Sequence, residues 1–328
     1  MNPSRRRLLA ASLGLPLGAM PLLSGCTRPE PLVRVAGIVW IGSEPLFLAR
    51  KRGYFDDSRL RLVELPSSTA NLMALASGEV EAATLTLDEM LIAREGGLDV
   101  QVILVFDESA GADVIMVRPG IETLAQLRGQ RIGVEETAVS ALMLAQALTQ
   151  AQLQPIDVIK IPVTSTRHVA AYEAGEVDVV VCFEPIATQL ANLGAKRLLD
   201  SSQFPGLIVD VLVARTDALA ASPEQFRQLA SGYFRALDFL TQSPEQAAAL
   251  MAPRLGLSPV EVQQALKGVR LKDLAANHRL LGGSTPQLPV LASTVGQIMV
   301  QAGLLRSAPA LTQLVNPGFL PALSKGVG

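Results

Sequence analysis

Short apolar runs rich in β-branched residues punctuate the chain at 33–39, 60–64, 80–85, 100–106, 114–117, 131–134, 158–163, 177–183 and 207–214. Between most of them the apolar positions fall at helical spacing, as over 138–150. Buried strands alternating with amphipathic helices predict an α/β fold with mixed, mostly parallel sheets flanked by helices. Beyond about residue 220 the strand pattern stops and a helical C-terminal third follows. There Ser222-Pro223-Glu224-Gln225, Ser243-Pro244-Glu245-Gln246 and Ser258-Pro259-Val260-Glu261 each set serine before proline, with Gln or Glu three residues on. That spacing predicts three capped helix starts. The stretches ALASGEV at 74–80 and AYEAGEV at 171–177 each close a helical run on a glycine, Gly78 or Gly175, before the next strand. A left-handed cap is expected at both, and the echo suggests two similar halves.

The N-terminus follows another pattern. Arg5, Arg6 and Arg7 precede an apolar stretch over 8–23, broken by Pro16 and Pro21, and Leu23-Ser24-Gly25-Cys26 closes it. A basic start, an apolar middle and small residues at the end read as an export signal over 1–25. Its last four residues resemble a bacterial lipobox, and Ser4-Arg5-Arg6-Arg7-Leu8-Leu9 resembles a twin-arginine motif. The lipobox resemblance implies a lipidated Cys26, an extended proline-bearing linker over 26–31, and a location in the periplasm or at the cell surface, anchored to a membrane. Cys182 is then the remaining cysteine of two, so stability rests on the core and not on an intrachain disulfide. No other apolar run is long enough to cross a bilayer. The net charge of −2 includes three leader arginines, so the body is more acidic still. Nucleic-acid binding, which needs a basic surface, is excluded.

Several motifs then fall in a recognisable order: Val39-Trp40-Ile41-Gly42, Pro45-Leu46-Phe47-Leu48-Ala49, Gly53-Tyr54-Phe55, Gly111-Ala112-Asp113, Leu127-Arg128-Gly129-Gln130-Arg131-Ile132-Gly133-Val134-Glu135 and Glu184-Pro185. Together they resemble the nitrate/sulfonate/taurine class of ABC-transporter solute-binding proteins. The resemblance implies a two-lobed type II periplasmic-binding-protein fold, with one lobe from 32–113 plus 208–328 and the other from 114–207. It implies a monomer that performs no chemistry, captures a small nitrogen- or sulfur-containing organic solute and delivers it to an ABC permease driven by a cytoplasmic ATPase. An enzyme resembling thiamine-pyrimidine synthases and a sensor that docks on a receptor are the alternatives on the same fold.

In open α/β sheets the ligand crevice lies beyond the carboxyl ends of the strands. Ser68 and Thr69 follow one predicted strand and Thr166 another, so helix N-termini there suit an acidic group on the solute. Carboxylates are commoner at these ends: Asp88, Asp107, Glu108, Glu136, Glu184 and Asp210, against one base, Arg167, beside His168. Like charges crowded in a cleft call for a cation, so an amine, amidine or guanidinium fits better than a bare anion. The resemblance puts Trp40 on the cleft wall, where its face can cover a ligand or a cation, with core packing as the alternative, and Gly42 where the backbone approaches the solute or makes the turn. Two histidines and one body cysteine supply no zinc or nucleotide motif, so no metal and no cofactor is expected.

Overall fold

The structure, a computed structural model, describes residues 31–135 and 139–323. The leader, Cys26 and Glu136 lie outside the described residues. Eleven strands form two sheets. The first holds β1 (Val33–Gly37), β2 (Leu60–Glu64), β3 (Ala82–Thr86), β4 (Val100–Ser109), β10 (Val209–Arg215) and β11 (Val269–Leu271), in the order β11-β4-β10-β3-β1-β2. The second holds β5 (Asp113–Val117), β6 (Arg131–Val134), β7 (Ile159–Pro162), β8 (Val179–Phe183) and β9 (Lys196–Asp200), in the order β7-β6-β8-β5-β9. The chain passes between the sheets at 110–112 and returns at 201–208.

Helices α1 (Glu44–Lys51), α2 (Ser68–Ser77) and α3 (Leu87–Glu95) link strands of the first sheet. Helices α4 (Val139–Gln150), α5 (His168–Glu173) and α6 (Ile186–Asn192) do so in the second. The C-terminal part adds α7 (Thr216–Ala221), α8 (Pro223–Gln242), α9 (Pro244–Leu255), α10 (Pro259–Leu266), α11 (Leu274–Leu281) and α12 (Leu288–Gln301). Gly78 and Gly175 take the left-handed conformation expected of them, at φ 79° and 71°.

The mixed sheets are less parallel than the pattern suggests. Among the described residues four strand pairs are parallel and five antiparallel. The reason is the crossing: β10 and β5 each enter a sheet running against both neighbours. Two strands went unread. β9 (Lys-Arg-Leu-Leu-Asp) lies at a sheet edge and carries mostly polar residues, and β11, inside the helical third, is a three-residue edge strand.

All three serine-proline sites start helices, but a reciprocal capping box forms only at Ser258, which exchanges hydrogen bonds with Glu261. Ser222 and Ser243 also end the preceding helices, their N–H groups donating to Ala218 and Phe239 carbonyls. That double duty holds their ψ near 52° and 60°, away from extended capping geometry.

Most of each sheet is buried on both faces, which explains the continuous apolar runs. One polar side chain substitutes for a strand at the edge of β4. Asn277 on α11, fully buried, accepts from Val105 N–H at 2.7 Å and donates to the Val105 carbonyl at 3.0 Å. Asn277→Ala strands both groups in the core. The expected cost is about 2–4 kcal/mol, read as a lower urea midpoint with an unchanged slope.

Candidate functional site

Register brings the acids together. On the first sheet Asp210 of β10 stands opposite Asp107 of β4 on one side and Thr86 of β3 on the other. On the second, Asp113 opens β5 opposite Phe183, the last residue of β8. These strand ends face one another across a pocket that both sheets line. Ile38, Trp40, Ser68, Thr84, Leu85, Thr86, Glu89 and Asp210 come from the first sheet and its helices, and Asp113, Val139 and Phe183 from the second. The cavity is a slot of about 20 Å³, room for one or two waters. No lysine, arginine or histidine is among its described lining residues.

The wall is held in place by Trp40, whose Nε1–H donates to Asp107 Oδ2 at 3.3 Å and whose ring meets Phe183 edge-on at 5.6 Å. Gly42 allows this contact. A β-carbon there would sit 1.9 Å from Asp107 Oδ2 and 2.5 Å from Trp40 Nε1. The backbone thus approaches the Trp40–Asp107 pair, not the slot, whose described lining does not include Gly42.

Burial sets the charge state. It pushes the carboxyls of Asp107 and Asp113 up to about 7, with Trp40 Nε1–H pulling Asp107 back down and Asp88 adding to the rise of Asp113. Glu89, whose Oε2 accepts Thr86 N–H at 2.9 Å, is pushed up to about 8 by burial and then by the Asp88 charge. Asp210 lies well above the carboxylate range, first through burial and then through Asp107, Asp113 and Glu89. Asp107 Oδ1, Asp113 Oδ2, Asp210 Oδ2 and Glu89 Oε1 are covered and make no hydrogen bond. A neighbourhood so desolvated and like-charged holds protons on its acids at a pH where exposed carboxyls have lost them.

The residues expected at the site divide. Trp40, Ser68 and Asp210 line the slot, and Asp107 backs it. Asp88 is buried beside it at the start of α3, with burial pushing its carboxyl up to about 6. Thr69 reaches from α2 to Glu135 at 3.4 Å. Thr166 is exposed and lines a separate groove between the sheets, of about 300 Å³. Glu184 is turned elsewhere: Oε2 accepts Thr188 N–H and Oγ1–H at 3.1 and 2.8 Å, and Oε1 meets Arg197 at 3.5 Å. Glu108 is paired with Lys272 and Arg270 at 2.9 and 3.1 Å.

The base also changes identity. Arg167 is exposed and 3.8 Å from Glu176, whereas Arg254 of α9 reaches the 300 Å³ groove, neutralised there by Glu44 and Glu64. His168 is fully buried, bonded to the Val163 carbonyl and pushed down to about 4 by burial, hence neutral. Sequence reasoning missed Glu89, Asp113, Thr84 and Thr86, and the buried Phe183 both packs in the core and lines the slot. Asp113 belongs to the Gly111-Ala112-Asp113 motif, but it opens β5, whereas the acids expected at the crevice follow strands or sit at their ends.

The family profile described as NMT1/THI5 like matches residues 40–247. A relative from Escherichia coli (strain K12) named for binding aliphatic sulfonates is 28% identical over 207 residues, 62% of this chain and 64% of that protein. The taurine-binding periplasmic protein of the same strain is 25% identical over 212 residues, 62% of this chain and 66% of that one. The alignment thus spans just under two thirds of each relative. In three dimensions, the alkanesulfonate-binding protein SsuA from Xanthomonas axonopodis pv. citri bound to MOPS matches with a TM-score of 0.73 at 19% identity, over 88% of this chain and 98% of that chain. At that identity the likeness is one of fold, the periplasmic-binding-protein fold.

The single tryptophan reports on the pocket wall. Gly42→Ala forces Trp40 and Asp107 apart, and overpacking of this kind costs about 1–3 kcal/mol. The expected result is a shifted tryptophan emission together with a lower Tm. An unchanged spectrum contradicts the assigned wall.

Proposed function

The chain belongs to the NMT1/THI5-like family, and on that premise we propose that it is the extracytoplasmic solute-binding component of an ABC importer. It captures a small organic solute bearing a protonated or strongly donating nitrogen and hands it to the permease. The names of the sulfonate- and taurine-binding relatives support a role in solute capture. The observation that carries the solute class is the slot itself, in which Glu89, Asp113 and Asp210 meet with no described basic lining residue. Hydroxyls of Ser68, Thr84 and Thr86 and the face of Trp40 add hydrogen bonds and cation–π contact. The slot is too small for such a solute as it stands, so entry requires the two strand-end surfaces to separate and close again.

We assign no reaction to the chain. Its slot offers carboxyls, hydroxyls and aromatic rings, while Cys182 is buried in β8 with its thiol pushed well up by burial, a state unsuited to attack. The two lobes of the reading correspond to the two sheets with their helices. The periplasmic location and the lipid anchor at Cys26 belong to the same proposal.

Binding of a cation ionises carboxyls that the empty slot keeps protonated, so capture releases protons. Affinity for a small amine, amidine or guanidine is expected to rise between pH 5 and 8, by up to roughly tenfold per pH unit for each linked proton. Calorimetry at pH 6 in two buffers of different ionisation enthalpy reads the release directly. Asp113→Asn is expected to weaken the cation by about 1.5–3 kcal/mol, the range for a charge-assisted hydrogen bond. Without ligand the sign is reversed. These raised carboxyls stabilise the fold fully below about pH 4, and that contribution is lost as pH rises through about 7 to 8. Tight binding of a simple inorganic anion with pH-independent affinity sinks this solute class.

The anchor is tested separately. Cys26→Ser is expected to move the protein from the membrane to the soluble fraction with solute affinity intact, because lipidation lies outside the folded body.

A further inference from the structure

The N-terminus of α2 is the natural resting place for an acidic group on the solute, and the protein's own chain fills it. Ser67 caps the helix by accepting Ala70 N–H at 3.1 Å. Against this first turn lies Glu135, which follows β6 and is therefore carried by the other sheet. Its Oε1 accepts the Thr69 hydroxyl at 3.4 Å, and the residue is 5% exposed. Ser165, from the same sheet as Glu135, donates its hydroxyl to the Pro66 carbonyl at 3.2 Å and ties the two surfaces together there.

Two features separate Glu135 from an ordinary salt-bridge residue. Among the described residues no lysine or arginine pairs with it: burial pushes its carboxyl up, and the backbone N–H groups of Thr69 and Ser165 and the Thr69 and Ser67 hydroxyls pull it back. Its Oε2 is covered and unpartnered. The carboxylate is also near enough to the acid slot to push Glu89 upward. A neutral residue would join the sheets at lower desolvation cost, so the charge needs another explanation.

We propose that Glu135 is the residue that excludes anions from the cleft. It places a carboxylate on the N-terminus of α2, so a solute's sulfonate or carboxylate finds that position occupied and negatively charged. The assignment rests on reading the cleft as a solute site. It answers a question that reading leaves open, namely how a member of a family with sulfonate-binding relatives turns toward cations. Selectivity comes from removing the favourable anion position, with the same charge reinforcing the field felt by a cation.

Methanesulfonate and methylguanidine serve as probes, each titrated into the wild type, Glu135→Ala and Glu135→Gln. Methanesulfonate is expected to bind Glu135→Ala at least about tenfold more tightly than the wild type, because the helix N-terminus is then free. Glu135→Gln keeps the side-chain shape and guards against a folding defect. Methanesulfonate is expected to raise its Tm while leaving that of the wild type unchanged. The proposal is overturned if neither variant gains affinity for methanesulfonate, or if the wild type already binds it as tightly as Glu135→Ala does. Methylguanidine keeps the two readings apart. Its failure to bind the wild type counts against the cation slot, whereas the methanesulfonate comparison alone decides the role of Glu135.

Discussion

Two carboxylates face each other across neighbouring antiparallel strands, beside a pocket without a described basic lining residue. Asp107 and Asp210 are paired in register on β4 and β10, and like charges directly opposite are destabilising even on an exposed sheet. Here they are out of water, where a pair of this kind cannot fully ionise. Burial pushes both carboxyls up, and the Asp107 charge adds to the rise of Asp210, so the pair keeps a proton where a lone aspartate has lost it. The Trp40 indole, admitted by Gly42, satisfies one of the remaining lone pairs. The fold tolerates the arrangement because the acids are kept neutral, and that neutrality is what a cationic solute can displace.

The crossing strands explain why the acids converge where they do. β10 enters the first sheet between β3 and β4, and β5 enters the second between β8 and β9, each against the direction of its neighbours. An antiparallel insertion brings the start of one strand beside the ends of others, so Asp113 and Asp210, both near strand starts, reach the crevice where parallel strands finish. Polar contacts also join the elements on either side of the cleft. Gln189 donates to the Leu255 carbonyl at 3.3 Å and Asn192 to Glu261 at 3.0 Å. Exposed or half-exposed hydrogen bonds of this kind cost little to break, which suits surfaces that must part.

What the sequence made legible follows from what each residue must do locally. Strands buried on both faces need β-branched runs, and a helix that turns tightly into a strand needs glycine at positive φ, so the inner strands and the caps at Gly78 and Gly175 were readable. Edge strands are under neither demand: β9 carries three charged residues with no alternation and β11 is too short to show a period. The acid-rich character of the cleft was readable too, but not which acids. Asp88 and Glu89 are adjacent on α3, and only helix phase turns the second into the slot. Glu184 had the right position after a strand, yet Thr188 and Arg197 lie within its reach and use its oxygens. Glu135 sat inside a quoted motif, and nothing in its neighbours indicates that its partner is a helix N-terminus from the other sheet.

Protonation and solute binding therefore act on one equilibrium. Asp113 is carried by the second sheet, and Glu89, Asp107 and Asp210 by the first. When all are ionised, repulsion across the slot favours separation of the two surfaces, and protonation relieves it. On the proposed reading, a cation between them replaces the protons and offsets that repulsion. Glu135 opposes separation by a different route, since its Oε1 accepts the Thr69 hydroxyl of α2. The closed form is thus favoured by two independent attractions, one made by the chain itself and one supplied by the solute. Only the second can shift the population in response to solute, and its strength equals the difference in solute affinity between the two forms.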